Sequence, residues 1–239
     1  MSNAGKLTAE ALGTFALCFI GAGAICMTTM MGAAGPGLLG VAIAHGIALS
    51  IAVSATMNVS GGHVNPAVTM AMLVTGRISF VDAIGYIVAQ CTGATIAGFL
   101  VLTIFKGMST PDGQSVVTAA RLGTPDYNPA TLGMGTAILI EAALTFLLLF
   151  AVFGTAADPR APKIGGFGIG LTICADILVG GPLTGAAMNP ARTFGPGIVA
   201  FLTGNLPEFW SQHMVYWVGP ILGAVVAALI YDNLVMAKK

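Results

Sequence analysis

The sequence predicts an all-α membrane protein, with six transmembrane helices plus two re-entrant half-helices laid out as an inverted repeat. Three observations predict it. Charged residues make up only 8% of the 239-residue chain while hydrophobic residues reach 56%, against roughly 25% charged in an ordinary soluble domain. Six apolar stretches are long enough to cross a bilayer. Two further apolar segments, too short to span, each begin with Asn-Pro-Ala and sit at matching places in the two halves.

A soluble chain with so few charges would expose large apolar patches and aggregate; lipid as the outer solvent removes the difficulty. A formal net charge of zero gives no reason to expect a nucleic-acid partner. Cys18, Cys26, Cys91 and Cys174 all lie in apolar stretches without CxxC spacing or clustered histidines. They read as buried small hydrophobes, so neither a disulfide framework, a metal site nor a cofactor is called for.

The first stretch, 7–31, is long for a cleaved signal sequence and carries Glu10 and Gly13 where such a peptide is purely apolar, so it is expected to be a retained span. The others run over 38–58, 82–105, 133–154, 164–181 and 213–236, the fifth being the shortest. With the N-terminus inside, Lys6, Arg77, Arg160, Lys163, Lys238 and Lys239 are cytoplasmic, and only Lys106 and Arg121 fall in external connections. That imbalance places both termini in the cytoplasm. The polar stretch 106–132, with Pro111, Asp112, Gly113 and Pro129 as turn formers, is then an external loop.

The halves, approximately 6–105 and 133–236, repeat each other within a single channel domain spanning 1–239. Glu10-x-x-x-Thr14 recurs as Glu141-x-x-x-Thr145, and Ser60-Gly61-x-x-x-Asn65-Pro66-Ala67 as Thr184-Gly185-x-x-x-Asn189-Pro190-Ala191. Tyr86 and Gly93 recur as Tyr216 and Gly223. Each half holds three spans, an odd number, so the second enters the membrane from the opposite side. The repeat is inverted about a pseudo-two-fold axis in the membrane plane.

The short segments, 65–75 and 189–199, explain themselves locally. Asparagine suits an N-cap, and proline suits the first helical position, where its missing N–H costs nothing. The approaches Asn58–Val64 and Gly180–Met188 are rich in glycine and read as extended chain lining a cavity, since bare backbone survives at membrane depth only there or against protein. Two inverted half-helices then point their positive ends at each other near the midplane.

With these residues in hand, the chain resembles the major intrinsic protein family, the aquaporins and glycerol facilitators, over nearly its whole length. The resemblance rests on the two Asn-Pro-Ala boxes, the second extended to Phe194-Gly195-Pro196 behind Arg192, on Ser60-Gly61-Gly62-His63-Val64, and on the paired Glu-x-x-x-Thr. It implies an aquaporin-like fold, one pore per subunit and a homotetramer. It also implies a filter of His45, Ile177, Ala186 and Arg192, with Asn65, Pro66, Ala67, Asn189, Pro190 and Ala191 at the central constriction. An arginine on a midplane half-helix is costly unless it faces water, which independently favours a pore position for Arg192. His45 in mid-span could also be a packing histidine.

The resemblance places His63 in a vestibule; a loop histidine bonded to backbone is the other reading. Glu10 and Glu141 lie in apolar runs and need partners. In the family they support the re-entrant loops, and pairing elsewhere in the bundle would meet the same need. Asp176 either buttresses the filter or pairs across a subunit contact. Gly219-x-x-x-Gly223 and Gly93 suit close helix packing.

The filter set is similar to that of plant vacuolar-membrane aquaporins, and the stretch 158–196 reads like archaeal and bacterial ones. Thr193, Gly197 and Tyr216-Trp217 stand where glycerol facilitators usually have Asp, a basic residue and a Pro-aliphatic pair. The function implied is a passive, single-file water channel that excludes protons and ions and also passes ammonia, with a glycerol-conducting channel as the alternative. The expected partners are water, small neutral solutes and membrane lipid, and the expected setting is a prokaryotic cell membrane. Nothing resembles an active site, and the chain is not expected to be an enzyme.

Overall fold

The computed structural model describes residues 2–162 and 164–236, so Lys163, Lys238 and Lys239, used above for orientation, lie outside the described residues. Its elements are α1 (Asn3–Met31), α2 (Gly37–Ser60), α3 (Pro66–Val74), α4 (Phe80–Phe105), α5 (Val116–Ala119), α6 (Met134–Val152), α7 (Phe167–Thr184), α8 (Pro190–Leu202), α9 (Phe209–His213) and α10 (Val215–Ile230). Helices α6 and α10 each end in a π-helical turn, Phe153–Ala157 and Tyr231–Val235.

Six segments are long and apolar enough to span: Asn3–Ala34, Gly37–Ser60, Phe80–Phe105, Met134–Ala157, Phe167–Thr184 and Phe209–Val235. The fifth is the shortest, at 18 residues. Their outward faces carry exposed Ile51, Val88, Leu139 and Val179, the side chains that lipid solvates. Helices α3 and α8 have 9 and 13 residues, far short of the ~20 that span.

The packing repeats itself. Helix α1 packs on α2 and α4, as α6 packs on α7 and α10. Each half-helix lies against the last span of the other half, α8 on α4 and α3 on α10, while α2 and α7 cross at the centre. Glycine makes the close contacts. A Cβ at Gly93 would lie 2.0 Å from the Ala11 carbonyl oxygen, and one at Gly223 2.0 Å from that of Ala142. Ala11 and Ala142 follow Glu10 and Glu141, so the same crossing is built twice.

The helices penetrate further than the glycine-rich approaches suggested. Helix α2 runs to Ser60 and α7 to Thr184, each ended by a left-handed glycine, Gly61 (φ 91°) and Gly185 (φ 78°). Only five residues, 61–65 and 185–189, separate each span from its half-helix. The physical reason lies in the hydroxyls of Ser60 and Thr184, which bond to the buried glutamates and fix the last turns.

Candidate pore

Asn65 and Asn189 sit in extended conformation (φ −161° and −148°), each followed by proline at the first helical position. Each side-chain oxygen accepts from the backbone of its own half-helix, from Ala67 N at 2.8 Å and from Ala191 N at 3.1 Å. The amide nitrogens reach across the pseudo-two-fold. Asn65 Nδ2 donates to the Met188 carbonyl and Asn189 Nδ2 to that of Val64, both at 2.9 Å. Those carbonyls are turned into place by non-glycine residues in the left-handed region, Val64 (φ 53°) and Met188 (φ 52°), a conformation that costs about 1–3 kcal/mol unless its surroundings impose it.

The buried glutamates impose it. Glu10 Oε1 accepts from Ser60 Oγ (2.6 Å) and His63 N (3.0 Å), and its Oε2 from Val64 N and Gln90 Nε2 (both 2.6 Å). Glu141 accepts from Thr184 Oγ1 (2.7 Å), Ala187 N (3.0 Å) and Met188 N (2.8 Å). Tyr86 and Tyr216 close the same turns by donating to the carbonyls of Ser60 and Thr184. A hydrogen bond to a charged group contributes about 1.5–3 kcal/mol net, so each carboxylate carries its loop. Both glutamates accept from the loop backbone, and Glu10 also accepts from Gln90 of α4 within the bundle.

A cavity of about 250 Å³ runs past both asparagines. His45, Ile177, Ala186 and Arg192 all line it, as do Gly61, Gly62 and His63 from the first loop and Ala187 and Met188 from the second. Pro66, Ala67, Pro190 and Ala191 are buried behind it as the first turns of the half-helices. At His45 and Ile177 the cavity meets a wider one of about 490 Å³, lined by Arg121, Asp126, Tyr127 and Asn128. Arg121 there pairs with Asp126, and with Glu208 at 3.2 Å. Burial pushes the Asp126 carboxyl above its usual range, with Arg121 opposing and Glu208 adding to the shift.

His45 lines the cavity with its ring satisfied by protein. Its Nδ1 lies 2.8 Å from the Val41 carbonyl, which can only accept, so Nδ1 carries the proton. Arg192 Nε then donates to Nε2 at 3.2 Å. Both ring nitrogens are occupied by protein, and neither is free for a permeating molecule. Arg192 Nη1 has no hydrogen-bond partner among the described residues, which leaves it to whatever occupies the cavity. His63 is placed differently. Thr69 Oγ1 gives its proton to the Asn65 carbonyl, so it accepts from His63 Nδ1 at 3.1 Å and from Gln90 Nε2 at 3.0 Å. The His63 Nε2 lone pair remains on a residue that lines the cavity.

Three residues in or around the site were missed by sequence reasoning: Gln90 behind the first loop, Arg77 on the main cavity and Tyr127 on the wider one. Gln90 carried a signal, an uncharged amide in an otherwise apolar span, which is costly without partners. Arg77 was counted only as an orienting charge, yet it lines the cavity, pairs with Asp232 at 2.8 Å and lies 5.0 Å from the Phe153 ring centroid. Tyr127 carried no signal in its loop. Asp176 is 3% exposed, does not line the main cavity, and its Oδ2 has no partner among the described residues.

The whole chain has relatives. The Major intrinsic protein family model matches residues 1–231. Aquaporin TIP4-4 of Zea mays is 41% identical over 238 residues, covering 96% of this chain and 86% of that protein. Probable aquaporin TIP3-2 of Arabidopsis thaliana is 43% identical, covering 95% and 82%. The X-ray structure of the aquaglyceroporin from Plasmodium falciparum superposes with a TM-score of 0.84 over 98% of this chain and 97% of that one, at 22% identity, a likeness of fold alone. The sequence relatives overturn the expected prokaryotic cell membrane. They are plant TIP-type aquaporins, the vacuolar-membrane kind to which the filter residues also pointed, and they give no support to the archaeal and bacterial affinity expected of 158–196. Fold, paired loops and relatives agree: the chain belongs to the major intrinsic protein family and is a passive membrane channel for water or small solutes, not an enzyme.

Proposed function

We propose that the chain is a water channel with single-file permeation, proton and ion exclusion, and secondary passage of ammonia. The observation that carries this reading is the reciprocal lock between the half-helices, with Asn65 and Asn189 lining one cavity and each amide bonded to the opposite loop. Helix N-termini carry about half a positive charge each, and two of them facing one narrow cavity repel cations. An entering water sheds part of its hydration, and Arg192 Nη1, the asparagine amides and the His63 ring replace what it loses. Asn65-Pro66-Ala67 and Asn189-Pro190-Ala191 are assigned to the central constriction, and His45, Ile177, Ala186 and Arg192 to the filter. His63 is assigned to a vestibule, and Glu10 and Glu141 to loop support. The halves form one channel domain joined by loop 106–132, and four copies assemble.

The filter is polar on one side only. Ile177 contributes hydrocarbon, Ala186 leaves its side open, and His45 draws Arg192 to itself. Ammonia matches water in size and accepts from a guanidinium, so sterics do not reject it, whereas ammonium meets the positive field with its water shell removed. Glycerol passes weakly, because Thr193, Gly197 and Tyr216-Trp217 are not the facilitators' residues.

Stopped-flow osmotic shrinkage of proteoliposomes, run beside glycerol uptake, tests this. Water flux well above empty liposomes with a small glycerol signal is expected. Glycerol flux comparable to water flux would move the protein to the glycerol-conducting class. Asn189→Asp should admit cations, and unchanged water flux with no cation leak in that variant would remove the electrostatic role of the half-helix ends.

A further inference from the structure

The inverted repeat breaks at one cluster, and the break leaves two buried polar atoms without a partner among the described residues. In the first half Thr69 is saturated, donating to Asn65 O and accepting from His63 and Gln90. The corresponding residue 124 positions later is Thr193, which is 1% exposed, and its Oγ1 meets no hydrogen-bond partner among the described residues. The sequence supplies the reason. Where the first half has His63 and Gln90, the second has Ala187 and Pro220, neither of which has a side-chain donor.

The second orphan is His213, 6% exposed. Trp217 Nε1 donates to its Nε2 at 2.8 Å, which fixes the proton of the neutral ring on Nδ1. That Nδ1 also meets no partner among the described residues. Thr193 and His213 line one small cavity of about 10 Å³, whose wall also includes Asp126, Glu208 and Gln212. It shares no lining residue with the main cavity, and borders the wider one only at Pro125 and Asp126.

A buried water needs about one probe sphere of volume, roughly 10–15 Å³, and two to four polar partners. We propose that this cavity is the binding site of one resident water molecule. It accepts from His213 Nδ1–H, exchanges a hydrogen bond with Thr193 Oγ1, and donates to an acidic or amide oxygen on the wall. It thereby does for the second half what Gln90 does for the first, tying the half-helix directly behind Arg192 to the last span and to the 121–128 loop.

A crystal structure of the intact protein at about 2 Å or better is the direct test. A peak within hydrogen-bond reach of both Thr193 Oγ1 and His213 Nδ1 is expected; well-ordered side chains with no peak between them would overturn the site. Thr193→Val and His213→Phe, singly and together, supply an independent sign. With the water present, each single replacement leaves a partner unmade and raises the unfolding equilibrium constant in mixed micelles roughly tenfold. The double replacement costs less than the two combined, because each single replacement already disrupts the same water, while the lost Trp217–His213 bond is common to His213→Phe and the double variant. In a dry cavity Thr193→Val removes an unpaired hydroxyl and stabilises, and that result, or simple additivity of the two losses, would overturn the proposal.

Discussion

His45 holds Arg192 by its only free lone pair, and the rest of the filter follows from that bond. Phenylalanine at this position leaves Arg192 Nε without an acceptor in a buried site, at a cost of about 1–3 kcal/mol, and puts an apolar edge where the imidazole stood. His45→Phe combined with Ile177→His should therefore abolish ammonia passage while keeping water passage, read by vesicle alkalinisation beside osmotic shrinkage. Ammonia flux equal to wild type in the double variant would dissociate these two residues from selectivity. Asp176 presents the opposite situation, a carboxylate 3% exposed with an oxygen lacking any partner among the described residues. Burying such a group without donors is costly, so Asp176→Asn should raise the thermal midpoint of the subunit. A clear fall would place a donor for Asp176 on a neighbouring copy.

Between residues and the molecule stand the elements, and these were legible to unequal degrees. All six spans and both half-helices were readable because apolar length and the Asn-Pro cap act locally. The loop lengths were not, because Ser60 and Thr184 extend their helices through bonds to glutamates 50 and 43 residues away in sequence. The family resemblance named His45, Ile177, Ala186 and Arg192, which line one cavity, but it could not reveal which nitrogen of His45 meets which neighbour, since that depends on helix rotation and not on order along the chain. Two predictions belong here. Gly93→Ala and Gly223→Ala each drive a methyl to within 2.0 Å of a facing carbonyl and should reduce folded yield to a similar extent, measured by size-exclusion recovery; a variant recovered at wild-type yield would show that crossing to be loose. The turn after α6 is pinned by Asp158, whose carboxyl is held down to about 2, chiefly by the Arg160 side chain and backbone. Because that value lies below the ordinary 3.8, the anchoring is complete above about pH 4 and is lost only as pH falls through 2. Proteolysis of 158–162 should accordingly be flat from pH 8 to pH 5, and a rise in cleavage within that window would count against the pairing.

For the whole molecule, the exposed apolar faces of α1, α2, α6 and α7 are available to lipid and to neighbouring copies alike. The family resemblance selects four copies, each with its own pore. Native mass measurement in mild detergent should return a tetramer, and a stable, fully active monomer would remove the assembly without touching the pore. The chain itself offers no reading of copy number, since its small residues suit contacts within a subunit as readily as between subunits. The solute preference proposed above was partly legible, since it is assigned to four side chains whose identities the sequence states but whose mutual bonds only the fold supplies.

The crossed amide bonds have a consequence for biogenesis. Asn65 and its acceptor on Met188 are separated by 123 residues, and at translation rates of about 5–20 residues per second the second arrives some 6–25 s after the first. For that interval the nascent first half sits in the bilayer with a polar hairpin that its own chain cannot finish. Glu10, Gln90 and Tyr86, all from that same half, can hold the hairpin meanwhile, whereas the late-made half has Glu141 and Tyr216 in the matching places but Pro220 where Gln90 would stand. The timing thus gives the additional amide a use on the side that has to wait.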